Sequence, residues 1–248
     1  MKINFNTMRY YYLTTGNNKN LENHIEDIFK NYNIKKIIGP SGVKKHISGA
    51  IGHSKMIELG LREQDRNKPF QPFVILEDDI SFFRNLPNEL EIPDNTDALY
   101  IGISPWGLNK DNMQGKYNHI VADDYNEDLI KVYNMLGTHA IMICSSLYAS
   151  VYTRCMMESI YYNFQDRGDW DIILSTLQKK YNVYAFKNPF LYQDVKYGGQ
   201  RGTKIILNRP DPNNPRLLTS GFQKTITCIK YDKKLLVDKT FINNIISL

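Results

Sequence analysis

Three consecutive acidic residues, Glu77-Asp78-Asp79, directly follow the apolar run 73–76. A short apolar run with β-branched members is typical of a buried strand, so the acids lie at the carboxyl end of a strand. Close carboxylates repel one another by about 0.2–1 kcal/mol per pair, which favours binding of a compensating cation. Mg²⁺ or Mn²⁺ carrying a diphosphate is the foremost candidate, because these metals prefer carboxylate and phosphate oxygens. A solvated acidic turn is the alternative.

Strand and helix patterns alternate along the first part of the chain. Residues 10–15 and 36–38 are predicted strands, and they flank a predicted helix over 21–32 with apolar residues at helical spacing. This order is typical of a parallel α/β unit. Further elements are predicted as helices over 48–61, 145–164 and 170–181, strands over 98–103, 139–143 and 182–186, a loop over 104–125, and edge strands over 222–229 and 234–237.

The composition is that of one globular domain. The chain has 248 residues, of which 42% are hydrophobic, and its net charge of +5 fits an anionic substrate as well as nucleic acid. The three cysteines share no metal-ligand spacing, and neither a signal core nor a membrane span is apparent, so we expect a soluble cytoplasmic protein. The excess of Asn, Ile, Lys and Tyr indicates an AT-rich genome, and a large DNA virus is one candidate source.

A series of short motifs resembles glycosyltransferase family 25, the lipo-oligosaccharide and collagen galactosyltransferase group. Each motif is weak alone, but their order along roughly residues 10–194 is specific. Ser48 and Gly52 stand where the family usually has Gly and Ser. The motifs are Ser48-Gly49-Ala50-Ile51-Gly52-His53, Leu76-Glu77-Asp78-Asp79, Leu99-Tyr100-Ile101-Gly102, Gly137-Thr138-His139-Ala140, Asp169-Trp170-Asp171 and Pro189-Phe190-Leu191-Tyr192-Gln193.

The resemblance implies an α/β fold of the GT-A type, with a Rossmann-like, mixed but mostly parallel sheet flanked by helices. It implies one domain over 1–248, with a core over 8–197 and a C-terminal lid and edge-strand extension over 198–248. It also implies a nucleotide-diphospho-sugar donor, UDP-sugar foremost, a glycan or glycoprotein acceptor, and transfer with inversion. Nucleic acid is not an expected partner, and the oligomeric state, a dimer included, is left open.

In this interpretation, some of the three acids bind the metal and others contact the sugar donor. Acids at i and i+2 of an extended segment share a face, so Glu77 and Asp79 point together while Asp78 faces away. We predict that Asp79 holds Mn²⁺ or Mg²⁺, which would neutralise the diphosphate leaving group. Glu77 would contact the ribose or a metal-bound water and so contribute to the metal site. Asp78 would reach the donor sugar.

A second acidic group provides the candidate base. Direct displacement at the anomeric carbon needs a carboxylate to take the proton of the acceptor hydroxyl. Asp169 and Asp171 are the candidates, with Asp171 the better match to the family's aspartate. Capping of the helix that follows is the alternative role for both, because acids are favoured in a first helical turn.

Other residues are weaker candidates for donor contacts. Thr14 and Thr15, His53 and Gln193 are predicted to line the donor site, although an ordinary turn and a structural histidine are the alternatives. Tyr10 to Tyr12 and His139 are more typical of the core than of a ligand site. Trp106 is expected to pack in the core, with stacking on an acceptor sugar as the alternative. Lys196 or Arg201 would clamp the diphosphate.

Two other function classes fit parts of the pattern. A catalytically inactive, transferase-like module that binds glycans or proteins would retain the fold without transfer. A metal-dependent phosphatase or nuclease would use similar acids, but two-metal sites usually gather more carboxylates and histidines than this chain offers.

Overall fold

The structure, a computed structural model, describes residues 1–103, 122–163 and 170–197. Its helices are α1 (Lys19–Ile28), α2 (Lys45–Arg62), α3 (Ser146–Asn163) and α4 (Trp170–Leu177). Its strands are β1 (Lys2–Asn4), β2 (Arg9–Thr14), β3 (Asn33–Ile38), β4 (Phe73–Glu77), β5 (Ile80–Phe82), β6 (Glu89–Glu91), β7 (Ala98–Tyr100), β8 (Ala122–Asp124), β9 (Leu129–Val132), β10 (Ala140–Ile143), β11 (Val183–Phe186) and β12 (Leu191–Gln193).

The main sheet has eight strands in the order β3-β2-β4-β10-β7-β11-β9-β8. The predicted parallel unit is confirmed, because β2 pairs in parallel with both β3 and β4. The only other parallel pair of this sheet is β7 with β11, whereas β10 runs antiparallel to both of its neighbours. With β9 antiparallel to β8 and β11 as well, antiparallel pairs outnumber parallel pairs among the described strands of this sheet. The prediction of a mixed sheet flanked by helices is therefore confirmed, and its mostly parallel character is wrong.

The core lies on both faces of this sheet. Successive side chains of a strand point to opposite faces, and the three tyrosines of β2 follow that rule. Tyr11 packs in the cluster that includes α2 and α3, whereas Tyr10 and Tyr12 pack with α1 on the other face. All three are buried, which confirms their prediction as core residues, and each hydroxyl donates a hydrogen bond, with Phe5 O, Glu63 Oε2 and Glu26 Oε1 as acceptors.

Two glycines in α2 allow close packing of side chains. A Cβ at Gly49 would overlap the ring of Trp170, and a Cβ at Gly52 would overlap the side chain of Leu13. Glycine costs about 1 kcal/mol in a helix interior relative to alanine, and this close approach is the compensating reason for both residues. The structure shows that α2 lies close to β2 and to the start of α4.

Most long elements match their predictions within three residues, but several short strands were not predicted. The strands β1, β5, β6, β9 and β12 have three or four residues each, and strand β8 falls in the predicted loop 104–125. Residues 104–121 of that loop, the turn before α4 and the predicted tail strands lie outside the described residues. Cys144 and Cys155 are free and buried, as expected, and Cys228 lies outside the described residues.

Among the described helices, α2 and α3 are the longest, with 18 residues each. Across the described ranges, none of the helices combines the length and apolar character needed to cross a membrane.

Candidate functional site

The acidic group lies where β4 ends and turns into β5. Glu77 is the last residue of β4, and Asp78 and Asp79 form the turn. Leu13 of β2 is in register with Glu77, so Thr14 follows beside Asp78. On the other side, Glu77 N donates to His139 O at 2.9 Å. The acids therefore lie at the carboxyl ends of the parallel strands β2 and β4, the usual ligand-binding edge of an open α/β sheet.

Glu77 is fixed by a hydrogen-bonded group of side chains. Thr138 Oγ1 donates to Glu77 Oε1 at 2.6 Å and receives a bond from Trp170 Nε1 at 2.9 Å. His53 Nε2 lies 3.5 Å from the same carboxylate oxygen, and His53 Nδ1 is 2.9 Å from the hydroxyl of Tyr152. Glu77 and Tyr152 thus contact the two different nitrogens of the same imidazole ring. The predicted donor residue His53 thus acts on Glu77 from inside the fold.

These contacts set the charge state of Glu77. Burial acts to raise its pKa, but the hydrogen bond and charge of His53 and the bond from Thr138 outweigh burial. The pKa of Glu77 is therefore lowered from its ordinary value, and this carboxylate is ionised at neutral pH.

Asp79 has the opposite environment. Burial, followed by the charges of Glu77 and Asp78, raises its pKa well above the ordinary value. Its Oδ1 is buried without a hydrogen-bond partner, whereas Oδ2 receives a bond from Gln193 Nε2 at 3.3 Å. The same nitrogen lies 3.4 Å from Glu77 Oε2. Gln193 thus contacts both Glu77 and Asp79, although Asp79 lies in the turn and not in the extended segment on which their predicted sharing of a face depends.

Asp78 faces a different set of groups. Burial is the main cause that raises its pKa, and the charge of Glu77 adds to the effect. A hydrogen bond from the side chain of Thr14 and the positive charge of Lys45 oppose the rise. Lys45, the first residue of α2, also acts on Asp79. The packing of α2 therefore brings the positive charge of Lys45 to these acids.

The second acidic group is only partly described. Asp171 lies in the first turn of α4, and its Oδ2 accepts a bond from Gly137 N at 3.3 Å. That bond holds Asp171 beside Thr138, which in turn contacts Glu77. Asp169 lies outside the described residues, as do Trp106 and Arg201. Thr15 is exposed directly after β2, next to the buried Thr14.

His139 belongs to the core. Its ring is buried without hydrogen-bond partners, and a Cβ at Gly102 would overlap it. Burial lowers the pKa of His139 to about 4, so the ring is neutral at physiological pH. The expectation of a structural histidine agrees with this position.

A pocket of about 630 Å³ lies near the start of α1. Its lining includes Lys196, the predicted phosphate clamp, and Tyr197, whose ring stacks on His24 with centroids 4.0 Å apart. Asp194 connects this pocket to the acids, because its backbone N–H donates to Asp79 O at 2.6 Å. The remaining lining residues are Asn18, Asn20 and Asn23.

The acids suit a hard divalent metal only in part. Within residues 1–103, 122–163 and 170–197, no three His, Cys, Asp or Glu side chains are arranged to hold a metal. Mg²⁺ and similar ions are often bound by one or two carboxylates, with substrate phosphates and waters as the other ligands. The unpartnered Oδ1 of Asp79 and its crowding against Glu77 fit that kind of site.

No protein-family model and no curated protein matches this chain. The likeness to glycosyltransferase family 25 therefore depends on the motifs alone.

Proposed function

We propose that this protein is a metal-dependent glycosyltransferase that moves a sugar from a nucleotide-diphospho-sugar, UDP-sugar foremost, to a hydroxyl group of a glycan or glycoprotein. The observation that carries the proposal is the half-buried, crowded pair Glu77 and Asp79 at a ligand-binding sheet edge. Such a pair favours a bound cation, and a cation beside carboxylates can neutralise a diphosphate leaving group.

The neighbouring residues support the same reaction. Lys45 brings a positive charge to the acids, and Lys196 lines the pocket near the start of α1. The nucleoside end of the donor would occupy that pocket, next to Thr14 and Thr15. Mn²⁺ or Mg²⁺ would be held by Asp79 and Glu77 and would supply charge neutralisation at the diphosphate.

The transfer step needs a base for the acceptor. In a direct displacement, the acceptor oxygen bonds to the anomeric carbon as the bond from that carbon to the diphosphate breaks. The electron pair of the broken bond leaves on the phosphate oxygen, and the hydroxyl proton passes to a carboxylate. We assign the carboxylate role to Asp171, with Asp169 the other candidate, and inversion follows from a single displacement.

A thermal-shift panel of nucleotide-sugars with Mn²⁺, Mg²⁺ or chelator tests the proposal. A ligand at about 100 times its Kd stabilises a fold by about 2.7 kcal/mol, or roughly 5–10 °C for a chain of this size. We expect a metal-dependent shift with at least one donor and its loss in Asp79→Asn. The exposed Asp27→Asn serves as the matched control.

Two outcomes would overturn the proposal. The absence of any shift across the panel argues against a nucleotide-sugar site. A shift without donor hydrolysis or transfer would instead favour the alternative, a transferase-like binding module.

A further inference from the structure

Gln193 is held over the acidic turn by the backbone. It ends β12, which pairs antiparallel with β5 so that Gln193 lies opposite Ile80. The next residue, Asp194, makes two further hydrogen bonds to the same region. Its backbone N donates to Asp79 O at 2.6 Å, and its Oδ2 accepts from Ser81 Oγ at 2.9 Å. The amide head of Gln193 is therefore positioned by the fold and not by its own hydrogen bonds alone.

The head of Gln193 has the spacing of a metal ligand. Its Nε2 lies 3.4 Å from Glu77 Oε2 and 3.3 Å from Asp79 Oδ2. Neighbouring ligands of an octahedral ion with bonds of 2.0–2.1 Å are about 3 Å apart. Each carboxylate oxygen thus lies at close to the separation from the amide head that neighbouring ligands of one ion have.

The two ends of the amide suit two states of the site. Without a cation, the N–H groups of Nε2 donate to both carboxylates and relieve their repulsion. A half-turn of the amide would place Oε1 in nearly the same position, and carboxamide oxygens bind hard cations. Such a turn is unfavourable without a cation, because it sets three oxygens against one another.

We infer that Gln193 is a third oxygen ligand of the metal proposed above, and that its amide rotates from donating N–H to offering Oε1 when the metal binds. This inference rests on the proposed function. It explains how the site gathers three protein oxygens although no three acidic, histidine or cysteine side chains meet in the described ranges. A neutral third ligand also limits the negative charge opposite a diphosphate.

Two substitutions separate coordination from a merely structural tether. Gln193→Met keeps the length of the side chain but removes both amide ends, and we expect Mn²⁺ binding to weaken about tenfold or more. Gln193→Glu supplies an oxygen but no N–H, and we expect Mn²⁺ to bind several-fold more tightly while the metal-free protein loses stability. If Gln193 only holds the segment in place, the two substitutions should not shift Mn²⁺ affinity in opposite directions.

The measurement is Mn²⁺ binding to the full chain, alone and with UDP, by electron paramagnetic resonance of free Mn²⁺. Asn33→Asp, at the other end of the parallel strands, controls for the added charge of Gln193→Glu. Circular dichroism verifies that each variant folds. If Gln193→Met does not fold, the Mn²⁺ affinity of Gln193→Glu alone decides the test.

The outcomes distinguish this inference from the proposed function. Opposite shifts in the two Gln193 variants, with loss of binding in Asp79→Asn, support both. Wild-type affinity in the folded Gln193 variants, together with loss in Asp79→Asn, overturns the role of Gln193 and leaves the proposed function standing. Absence of Mn²⁺ binding to the wild type, with and without UDP, overturns both.

Discussion

Single residues at the carboxyl end of β4 have unlike environments although they are adjacent in sequence. Glu77 is kept ionised by His53 and Thr138, whereas burial and neighbouring charges favour the protonated form of Asp79. Glu77 contributes stability above the ordinary pKa of a glutamate, and the contribution is lost as pH falls through its lowered pKa. The raised pKa of Asp79 has the opposite effect on stability. Its contribution is fully present below the ordinary pKa of an aspartate and is lost as pH rises through the raised pKa.

Asp79→Asn should therefore stabilise the metal-free protein at neutral pH. The amide resembles the protonated carboxyl and removes the repulsion from Glu77 and Asp78, which amounts to roughly 1–3 kcal/mol in a partly buried site. Urea denaturation with chelator present measures the free energy of unfolding. The difference from wild type should shrink as pH falls from 8 towards 5. A variant less stable than wild type at neutral pH would contradict this prediction.

Thr138→Val should destabilise the fold by about 1.5–3 kcal/mol, because it leaves Glu77 Oε1 and Trp170 Nε1 without their hydroxyl partner. Thr153→Val is the matched control, since the Thr153 hydroxyl bonds only to the backbone of its own helix at 3.2 Å. Its effect should be below about 1 kcal/mol in the same denaturation experiment. Equal losses of unfolding free energy in the two variants would mean that the contacts of Thr138 with Glu77 and Trp170 do not stabilise the fold more than an ordinary helix hydroxyl does.

At the scale of elements, the glycine-containing face of α2 decides how the site is assembled. Gly52 lets the helix approach Leu13 of β2, and Gly49 makes room for Trp170 of α4. His53 follows directly on the same helix and reaches Glu77. The motif that suggested donor contacts is thus explained by packing between α2, β2 and α4.

Gly52→Ala should destabilise the protein by about 1–3 kcal/mol despite the better helix propensity of alanine. The added methyl group would force the side chain of Leu13 away from its place beside β4. Lys55→Ala, an exposed position of the same helix, should be nearly neutral by thermal unfolding. A Gly52→Ala protein as stable as the Lys55→Ala protein would show that α2 can shift without loss.

For the whole molecule, the mixed sheet predicts a gradient of stability. The strands β4 and β10 are buried and flanked on both sides, whereas β3 is an edge strand with exposed residues. Hydrogen exchange followed by mass spectrometry should find the slowest amides in β4 and β10 and faster exchange in β3. Equal protection of β3 and β4 would indicate that the edge is covered by another part of the chain.

The local pattern of the chain was sufficient to predict the long elements and the parallel β2-β3-β4 unit. Apolar periodicity reports which residues are buried, and that holds for α2 and the central strands, whereas α3 leaves Leu147, Met157 and Tyr161 exposed. The short strands β5 and β12 carry too little periodicity to be predicted, yet their pairing places Gln193 over the acids. The antiparallel insertion of β10 between β4 and β7 was also not predicted, because strand order depends on contacts distant in sequence.

The sequence by itself determined that three acids end a buried strand, because the apolar run before them has the pattern of a strand. Only the tertiary structure decided that His53, Thr138 and Gln193 meet those acids and that the pKa values of Glu77 and Asp79 move in opposite directions. Those outcomes depend on burial and on partners 24 to 116 residues away in the chain. Such long-range contacts leave no local pattern in the sequence.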